Sequence, residues 1–436
     1  MSEISVTDRI EKLSSPGIKP GLSRVARLLK CLGNPQHTTK VIQIVGTNGK
    51  GTTAKTLYQI LLESGYSVAL YTSPHLVDFE ERLLLGDQMS TPAQWHDALD
   101  KVESAISNDN FLREFPPTFF EIATVAAILV MVAQNVDVAV VEAGMGGRYD
   151  ATSILTNVVC SVICQIGIDH SQYLGNTLKE IAGEKMAIVR QDATAIYYGQ
   201  EQLNSLFADL VRRNKTRGLI FTQEATINNV NSSLQETKFL LKINDGTPNC
   251  YITHLLGTFA VENVAFAIYI ADFLKEQFSK ITQKSIVNAV SHVTWEGRFE
   301  IISRSPLLIL DGGHNPHALK KVSDTLSQLC DNKITIIIAM MKDKDVKTAL
   351  LQLSTLKADF IATEVPENQR SMKSSEIASL ANEVGLNVIG QFANPLDAIE
   401  LAVGHGDPVI ILGSLFLVGY VKAMQDKIIK IQFKRD

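Results

Sequence analysis

Apolar residues along this chain gather in short unbroken runs instead of alternating with polar ones. VIQIVG (41–46), YSVALYT (66–72), VDVAVVEAG (136–144) and VVCSVICQIG (158–167) are such runs. A strand with one wet face alternates, so unbroken runs predict strands covered on both faces, as in a parallel sheet between helices. Helical spacing fits the segments between them, at 52–64, 92–106, 118–133 and 177–190. The order strand, helix, strand predicts an α/β fold. The pattern degrades over 191–250, where VRRNKTRG, INNVNSSLQETK and INDGTPN read as a hairpin-rich insert, and a helical stretch follows at 261–275. A second series starts near 306: LLILDGG, ITIIIAM, ADFIATEV, LNVIG and PVIILG as strands, with helices at 316–328, 345–353, 374–383 and 395–403. Five strands with helices between them make a doubly wound, Rossmann-like domain. The expected organisation is therefore an N-terminal domain at 1–297, a hinge at 298–304 and a C-terminal domain at 305–436.

Composition narrows the function. The 436 residues carry 41 basic and 46 acidic side chains, a net charge of −5, which is the wrong sign for a protein that lives on nucleic acid or anionic lipid. The longest apolar run, 122–133, is far short of the roughly 20 residues a membrane helix needs. The N-terminus has no apolar leader core, so a cytoplasmic protein is expected. Five scattered cysteines make no disulfide framework and suit a reducing compartment. Cys160 and Cys164 lie on one face of a strand and read as apolar filler. No apolar interface segment stands out, so a monomer is expected.

The chemistry concentrates at strand ends. In VIQIVGTNGKGTT (41–53) an apolar strand enters a glycine-rich turn that holds Lys50 and Gly51, and Thr52 and Thr53 open a helix. Backbone N–H groups, a helix N-terminus and a lysine together make a phosphate loop, here Gly46, Thr47, Asn48, Gly49, Lys50, Gly51 and Thr52. The spacing departs from the general P-loop pattern, because Gly51 separates Lys50 from Thr52. A nucleotide phosphate brings Mg²⁺, which takes oxygen ligands. Ser73, Glu142 and His170 each follow a different expected strand, with Asp169 as the alternative to His170. The AGMGGRYDATS stretch after Glu142 reads as a tight loop that shapes the site. Lys185 stands alone on a helix and, on chemistry alone, reads as a solvated lysine. In the second series LLILDGGHNPHAL (307–319) repeats the strand, turn, helix plan, placing Asp311 and His314 at a strand end, with Arg298 in the linker WEGRFE.

Together these motifs resemble the Mur ligase superfamily, and within it the folate branch: folylpolyglutamate synthases and bifunctional dihydrofolate synthase/folylpolyglutamate synthases. GTNGKGT, YTSPHL, EAGMGGRYDAT, IGIDH, GEKMAI, WEGRFE and DGGHNP carry the likeness, which runs from about residue 17 to the C-terminus. The resemblance implies an N-terminal P-loop ATPase domain of Mur ligase type and a C-terminal Rossmann-like glutamate ligase domain. It implies two Mg²⁺ ions on Ser73, Glu142 and His170, with Lys185 carbamylated to orient the second. Asn263, Arg298 and Asp311 would contact ATP, and His314 the incoming glutamate or the catalytic cleft. Gly21, Leu22 and Arg24, then Thr118, Phe119, Phe120 and Glu121, and finally Tyr149, Asp150 and Ala151 would hold the pterin.

The implied reaction joins L-glutamate to dihydropteroate and to reduced folates through an acyl phosphate formed at the expense of ATP, in a cleft that closes about the hinge. GLSRV and TFFE tilt the reading toward the bifunctional form. A monofunctional folylpolyglutamate synthase, a UDP-muramoyl amino-acid ligase and a non-catalytic nucleotide-binding regulator are the alternatives. Three positions depart from the family pattern: Phe259 and Ala260 replace a His-Gln pair, Glu296 replaces a proline, and Ser153 replaces an asparagine.

Overall fold

Short strands of two to six residues build the first sheet, and the central ones, from the unbroken apolar runs, are buried. The computed structural model describes residues 4–330, 332–425 and 427–428. The ends of the two expected domains, 1–3 and 429–436, lie outside those described residues. The first strands are β1 (Lys40–Val45), β2 (Val68–Tyr71), β3 (Leu83–Leu85), β4 (Gln88–Met89), β5 (Val138–Glu142), β6 (Val158–Ile163), β7 (Thr194–Tyr197) and β8 (Gly218–Ile220). They form one sheet in the order β4-β3-β2-β5-β1-β6-β7-β8. All neighbours from β2 to β8 run parallel, and β3 and β4 add an antiparallel edge. Every residue of β5 is buried, and in β1 only Lys40 is exposed.

The helices Pro92–Asn108 and Phe119–Ala133 pack into one large core with Ala139 and Val141 of β5. Helix Leu178–Met186 belongs to a second core with Val45, Ile163 and Tyr197. Two N-terminal helices, Val6–Leu13 and Ser23–Cys31, seal the first core with Val6, Ile10, Val25, Leu28 and Leu29.

A three-stranded sheet follows: β9 (Ala225–Ser232), β10 (Thr237–Ile243) and β11 (Asn249–Thr253), in the order β11-β10-β9. The stretch 191–250 is thus more than a hairpin-rich insert, because β7, the helix Glu201–Arg213 and β8 first extend the parallel sheet. The last sheet contains β12 (Glu300–Arg304), β13 (Leu307–Asp311), β14 (Ile334–Ile338), β15 (Ala358–Thr363), β16 (Asn387–Phe392) and β17 (Val409–Leu412). Its order is β12-β13-β17-β14-β15-β16, with β12 antiparallel and the others parallel. The five expected strands are β13 to β17, and β12 is an additional edge strand inside the segment read as a hinge.

Two compact units result. The first takes residues 1–226, 241–249 and 263–290; the second takes 227–240, 250–262 and 291–436. Among the described residues no helix is long and apolar enough to cross a membrane.

Candidate active site

The topology of the first sheet explains why its motifs meet. After β5 the chain crosses β1 to lay down β6, so winding reverses at β1, and ligands of open α/β sheets bind at the carboxyl ends of strands beside such a reversal. Four adjacent strands, β2-β5-β1-β6, end there. They carry in turn Ser73, Glu142, the phosphate loop and the segment to His170.

The phosphate loop is braced from beneath. Thr47 Oγ1 donates to the Gly167 carbonyl and accepts from the Gly167 N–H, both at 3.0 Å, and the Thr47 N–H donates to the Gln165 carbonyl at 2.8 Å. Gly46 must be glycine because a Cβ there would lie 2.7 Å from the Cys164 Cβ. Gly49 ends the turn at φ 82°, and a Cβ on it would collide with the Asn263 side chain. The helix Lys50–Glu63 starts there with no side-chain cap, so its first-turn N–H groups have no side-chain acceptor at the N-cap. Lys50 Nζ donates to the Thr47 carbonyl at 3.3 Å and lies 3.9 Å from Glu142 Oε1. Asn263 is buried beside this turn.

Lys185 departs from the solvated-lysine reading. It is 3% exposed, and its Nζ donates to the Gly46 carbonyl at 2.9 Å. Burial, and then the Lys50 ammonium, push its pKa down to about 7 against the opposing pull of Asp169 and Asp150. Its burial follows from its place on the apolar face of the helix. Ile181, Ala182, Lys185 and Met186 form the buried face at helical spacing. The loop after Glu142 is moulded onto this helix: a Cβ on Gly147 would lie 2.6 Å from the Lys185 carbonyl oxygen, and the Arg148 N–H donates to the Glu184 carbonyl at 2.9 Å.

Ser73 sits in a loop held by residues that sequence reasoning did not single out. Glu81 accepts from the N–H groups of Leu76, Val77 and Asp78 at 2.7–2.8 Å. Arg82 Nε donates to His75 Nδ1 at 2.9 Å. The signal was the Asp78-x-x-Glu81 capping box. His170 lies in left-handed backbone at φ 53°, with its N–H bonded to Asp169 Oδ1 at 2.8 Å and its Nε2 3.9 Å from Asp169 Oδ2.

The three segments named for the pterin come together. Arg24 Nε pairs with Glu121 Oε2 at 3.0 Å, and that oxygen also accepts from the Thr118 N–H at 2.7 Å. Glu121 Oε1 is buried with no hydrogen-bond partner among the described residues. The Phe120 ring lies over Gly144, where a Cβ would be 2.7 Å from it. Phe119 packs edge-on to Phe79 at 5.9 Å, and Leu22 lines the first core. Gly21 and Leu22 open the Ser23–Cys31 helix that presents Arg24. Asp150 folds the loop: Oδ2 accepts from the Met145 N–H at 2.9 Å, and Oδ1 from the N–H and hydroxyl of Thr152. Burial raises its pKa. Tyr149 is exposed and Ala151 is buried.

The second unit holds its own cluster. Asp311 at the end of β13 accepts from the Phe299 N–H at 2.9 Å and the Gly313 N–H at 2.7 Å. Burial raises its pKa, and the nearby Arg298 guanidinium opposes that rise. A Cβ at Gly312 would press on Arg298 Nη1 at 2.5 Å. His314 Nδ1 lies 2.9 Å from the Gly312 carbonyl, which can only accept, so Nδ1 carries a hydrogen. Of the departures from the family pattern, Phe259 packs on the second unit's core and Ala260 is buried. Glu296 pairs with Lys422 at 2.7 Å.

Among the described residues no three His, Cys, Asp or Glu side chains gather as a metal cage. Ser73 and Glu142 nonetheless offer the oxygen donors that suit Mg²⁺, an ion that keeps waters and takes few protein ligands plus phosphate oxygens, and His170 offers a ring nitrogen, a less usual ligand for it. Glu142, 5% exposed at the mouth of the phosphate loop, is the kind of carboxylate oxygen it prefers.

Comparison with known proteins agrees with this geometry. The Mur ligase middle domain matches residues 44–271, and the Mur ligase glutamate ligase domain matches residues 297–415. The chain belongs to the Mur ligase family. Within the family it is 28% identical over 417 residues to the dihydrofolate synthase/folylpolyglutamate synthase of Bacillus subtilis, across 93% of this chain and 95% of that one. It is 30% identical over 424 residues to a probable dihydrofolate synthetase of Schizosaccharomyces pombe, across 92% and 97%. Among solved Mur ligase relatives, Escherichia coli FolC in complex with DHPP and ADP superposes with a TM-score of 0.86 at 27% identity, covering 97% of this chain and 98% of that one.

Proposed function

We propose that this chain is an ATP-dependent ligase that joins L-glutamate to dihydropteroate, forming dihydrofolate, and to reduced folates, forming folylpolyglutamates. The observation that carries the reading is the convergence of the GTNGKGT turn, Ser73, Glu142 and the His170 segment on four adjacent strand ends, with Lys185 buried against the same turn. Relatives that span nearly the whole chain and bear those activities in their names support the choice of substrates.

ATP's phosphates lie on the first-turn N–H groups of the Lys50–Glu63 helix, with the Lys50 ammonium against them. The acid's carboxylate oxygen attacks the γ-phosphorus in line, the bond to ADP breaks, and an acyl phosphate remains. The glutamate amine then attacks the acyl carbon, phosphate leaves, and the amine's proton is given up. Two Mg²⁺ ions, held by Ser73, Glu142, His170 and carbamylated Lys185, would neutralise the phosphate and carboxylate charges that otherwise repel. Lys185 suits that role because its burial favours the neutral amine, the form that takes up CO₂ with loss of one proton to give a carbamate. The pterin lies among Gly21, Leu22, Arg24, Thr118, Phe119, Phe120, Glu121, Tyr149, Asp150 and Ala151, where the buried Glu121 Oε1 awaits a donor. Asn263, Arg298 and Asp311 serve the nucleotide. His314 serves the incoming glutamate or the catalytic cleft.

Mass analysis of products made with ATP, Mg²⁺ and L-glutamate tests this. Dihydropteroate should gain one glutamyl residue, and reduced folate should gain one or more. Glutamylated folate without glutamylated pteroate would reduce the activity to the monofunctional form. Neither product, from protein that binds ATP, would overturn the proposal.

A further inference from the structure

The centre of β1 holds a polar residue that the unbroken apolar run around it conceals. Gln43 is fully buried between β5 and β6, opposite Val141 and Ser161. A buried amide is costly unless both its ends are bonded, and here both are. Its Oε1 accepts from Arg190 Nη2 at 2.7 Å. Its Nε2 donates to Thr152 Oγ1 and to Ser153 Oγ, each at 3.1 Å.

The direction of each bond is fixed by the next one. The Thr152 hydroxyl donates onward to Asp150 Oδ1 at 2.6 Å, and the Ser153 hydroxyl donates to the Gly147 carbonyl at 2.5 Å. Both hydroxyl hydrogens are committed, so both oxygens turn lone pairs toward position 43, and only a donor satisfies them. On the other side the Arg190 guanidinium can only donate, so position 43 must accept there. Arg190 is anchored in turn on the Leu155 carbonyl at 2.5 Å and the Ile188 carbonyl at 3.3 Å. An amide meets both demands with one side chain; a carboxylate or a hydrocarbon does not.

We propose that Gln43 is a positioning residue for the acid substrate. Through Thr152 and Ser153 it ties the loop bearing Asp150 and Ala151 to the strand that feeds the phosphate loop, with Arg190 as its anchor. Ser153, which departs from the family pattern, completes the tie. The inference rests on the reading that residues 149–151 line the pterin. Gln43 itself touches no reacting group.

Gln43→Glu keeps the acceptor for Arg190 and removes the donor, and Ser153→Ala removes one acceptor while leaving the strand intact. In steady-state ADP release with ATP, L-glutamate and dihydropteroate, Gln43→Glu should raise the KM for dihydropteroate about tenfold while the KM for ATP changes less than about twofold. Ser153→Ala should shift the same constant about threefold, and it carries the test if the glutamate variant does not fold. A rise in both KM values together, or in neither, overturns the proposal. A second readout needs no activity: brief tryptic cleavage after the half-exposed Arg148 should be at least about fivefold faster in either variant. Faster cleavage in a protein with no dihydropteroate-dependent turnover would leave the tie standing and remove only the substrate reading. Unchanged cleavage would contradict the tie itself.

Discussion

At residues 46–49 the chain turns from a buried strand into a helix whose N-cap is Gly49, with no side chain to satisfy its first N–H groups. Lys50 and Lys185 converge on the carbonyls of that same turn, at 3.3 and 2.9 Å. At residues 312–315 the local plan is the same but the finish is opposite. Asn315 Oδ1 caps the helix Pro316–Leu329 by accepting from the Ala318 N–H at 2.9 Å, and Pro316 has no N–H to offer. The Asp311 carboxylate fills the turn and takes the Phe299 and Gly313 amides. The first helix start has no side-chain cap and the second has one, with Arg298 and His314 beside it. Strand, glycine turn and helix therefore do not make a phosphate site by themselves; the state of the helix N-terminus decides it.

Removing the cation from the uncapped turn should have the largest effect. Lys50→Ala should lower the rate of ADP formation at least about a thousandfold, measured at saturating ATP. Lys185→Met should come next, with a loss of about a hundredfold or more. The same variant has a stability signature in metal- and bicarbonate-free buffer. Between about 7, the folded pKa, and 10.5, the ordinary lysine value, the unfolded chain binds a proton that the folded chain does not. Stability of the parent protein should thus gain a rising contribution over that window and none outside it. Denaturant titrations of Lys185→Met should lack that rise. Gly49→Ala should raise the KM for ATP about tenfold, because a Cβ meets Asn263 in backbone that L-residues resist. Asn315→Ala sharpens the contrast with the smallest effect. It should cost about 1 kcal/mol in chemical denaturation and leave the KM for ATP within about twofold.

Much of this was legible in the sequence where several signals coincide. The strands β1, β2, β5 and β6 announce themselves by unbroken apolar runs, and their ends carry Lys50, Ser73, Glu142 and His170 in that order. Elements with few residues or one wet face escaped. β7 and β8 have four and three residues, too few for a period to show, so they were lost in the apparent insert. β12 is an edge strand whose residues are only partly buried, except for exposed Arg304, and EIISR gives little pattern. Lys185 and Gln43 were hard for a different reason. The helical spacing places Lys185 on a buried face, and Gln43 sits alone in an apolar run, but what each does depends on partners 139 residues away for Lys185 and 109 to 147 away for Gln43. Phe259 shows the converse. Against the family pattern it stands out only as an apolar residue in a polar place, and the fold packs it on the second unit's core.

The central claim is that the uncapped turn in the first unit activates an acid as its acyl phosphate before the amine arrives. The most direct measurement incubates the protein with ATP, Mg²⁺ and dihydropteroate, omits glutamate, and adds hydroxylamine to capture the activated acid. The account predicts ADP together with the pterin hydroxamate from the parent protein and neither from Lys50→Ala. Hydroxamate from both proteins, or glutamate-dependent ligation by the parent with no hydroxamate captured, would contradict it.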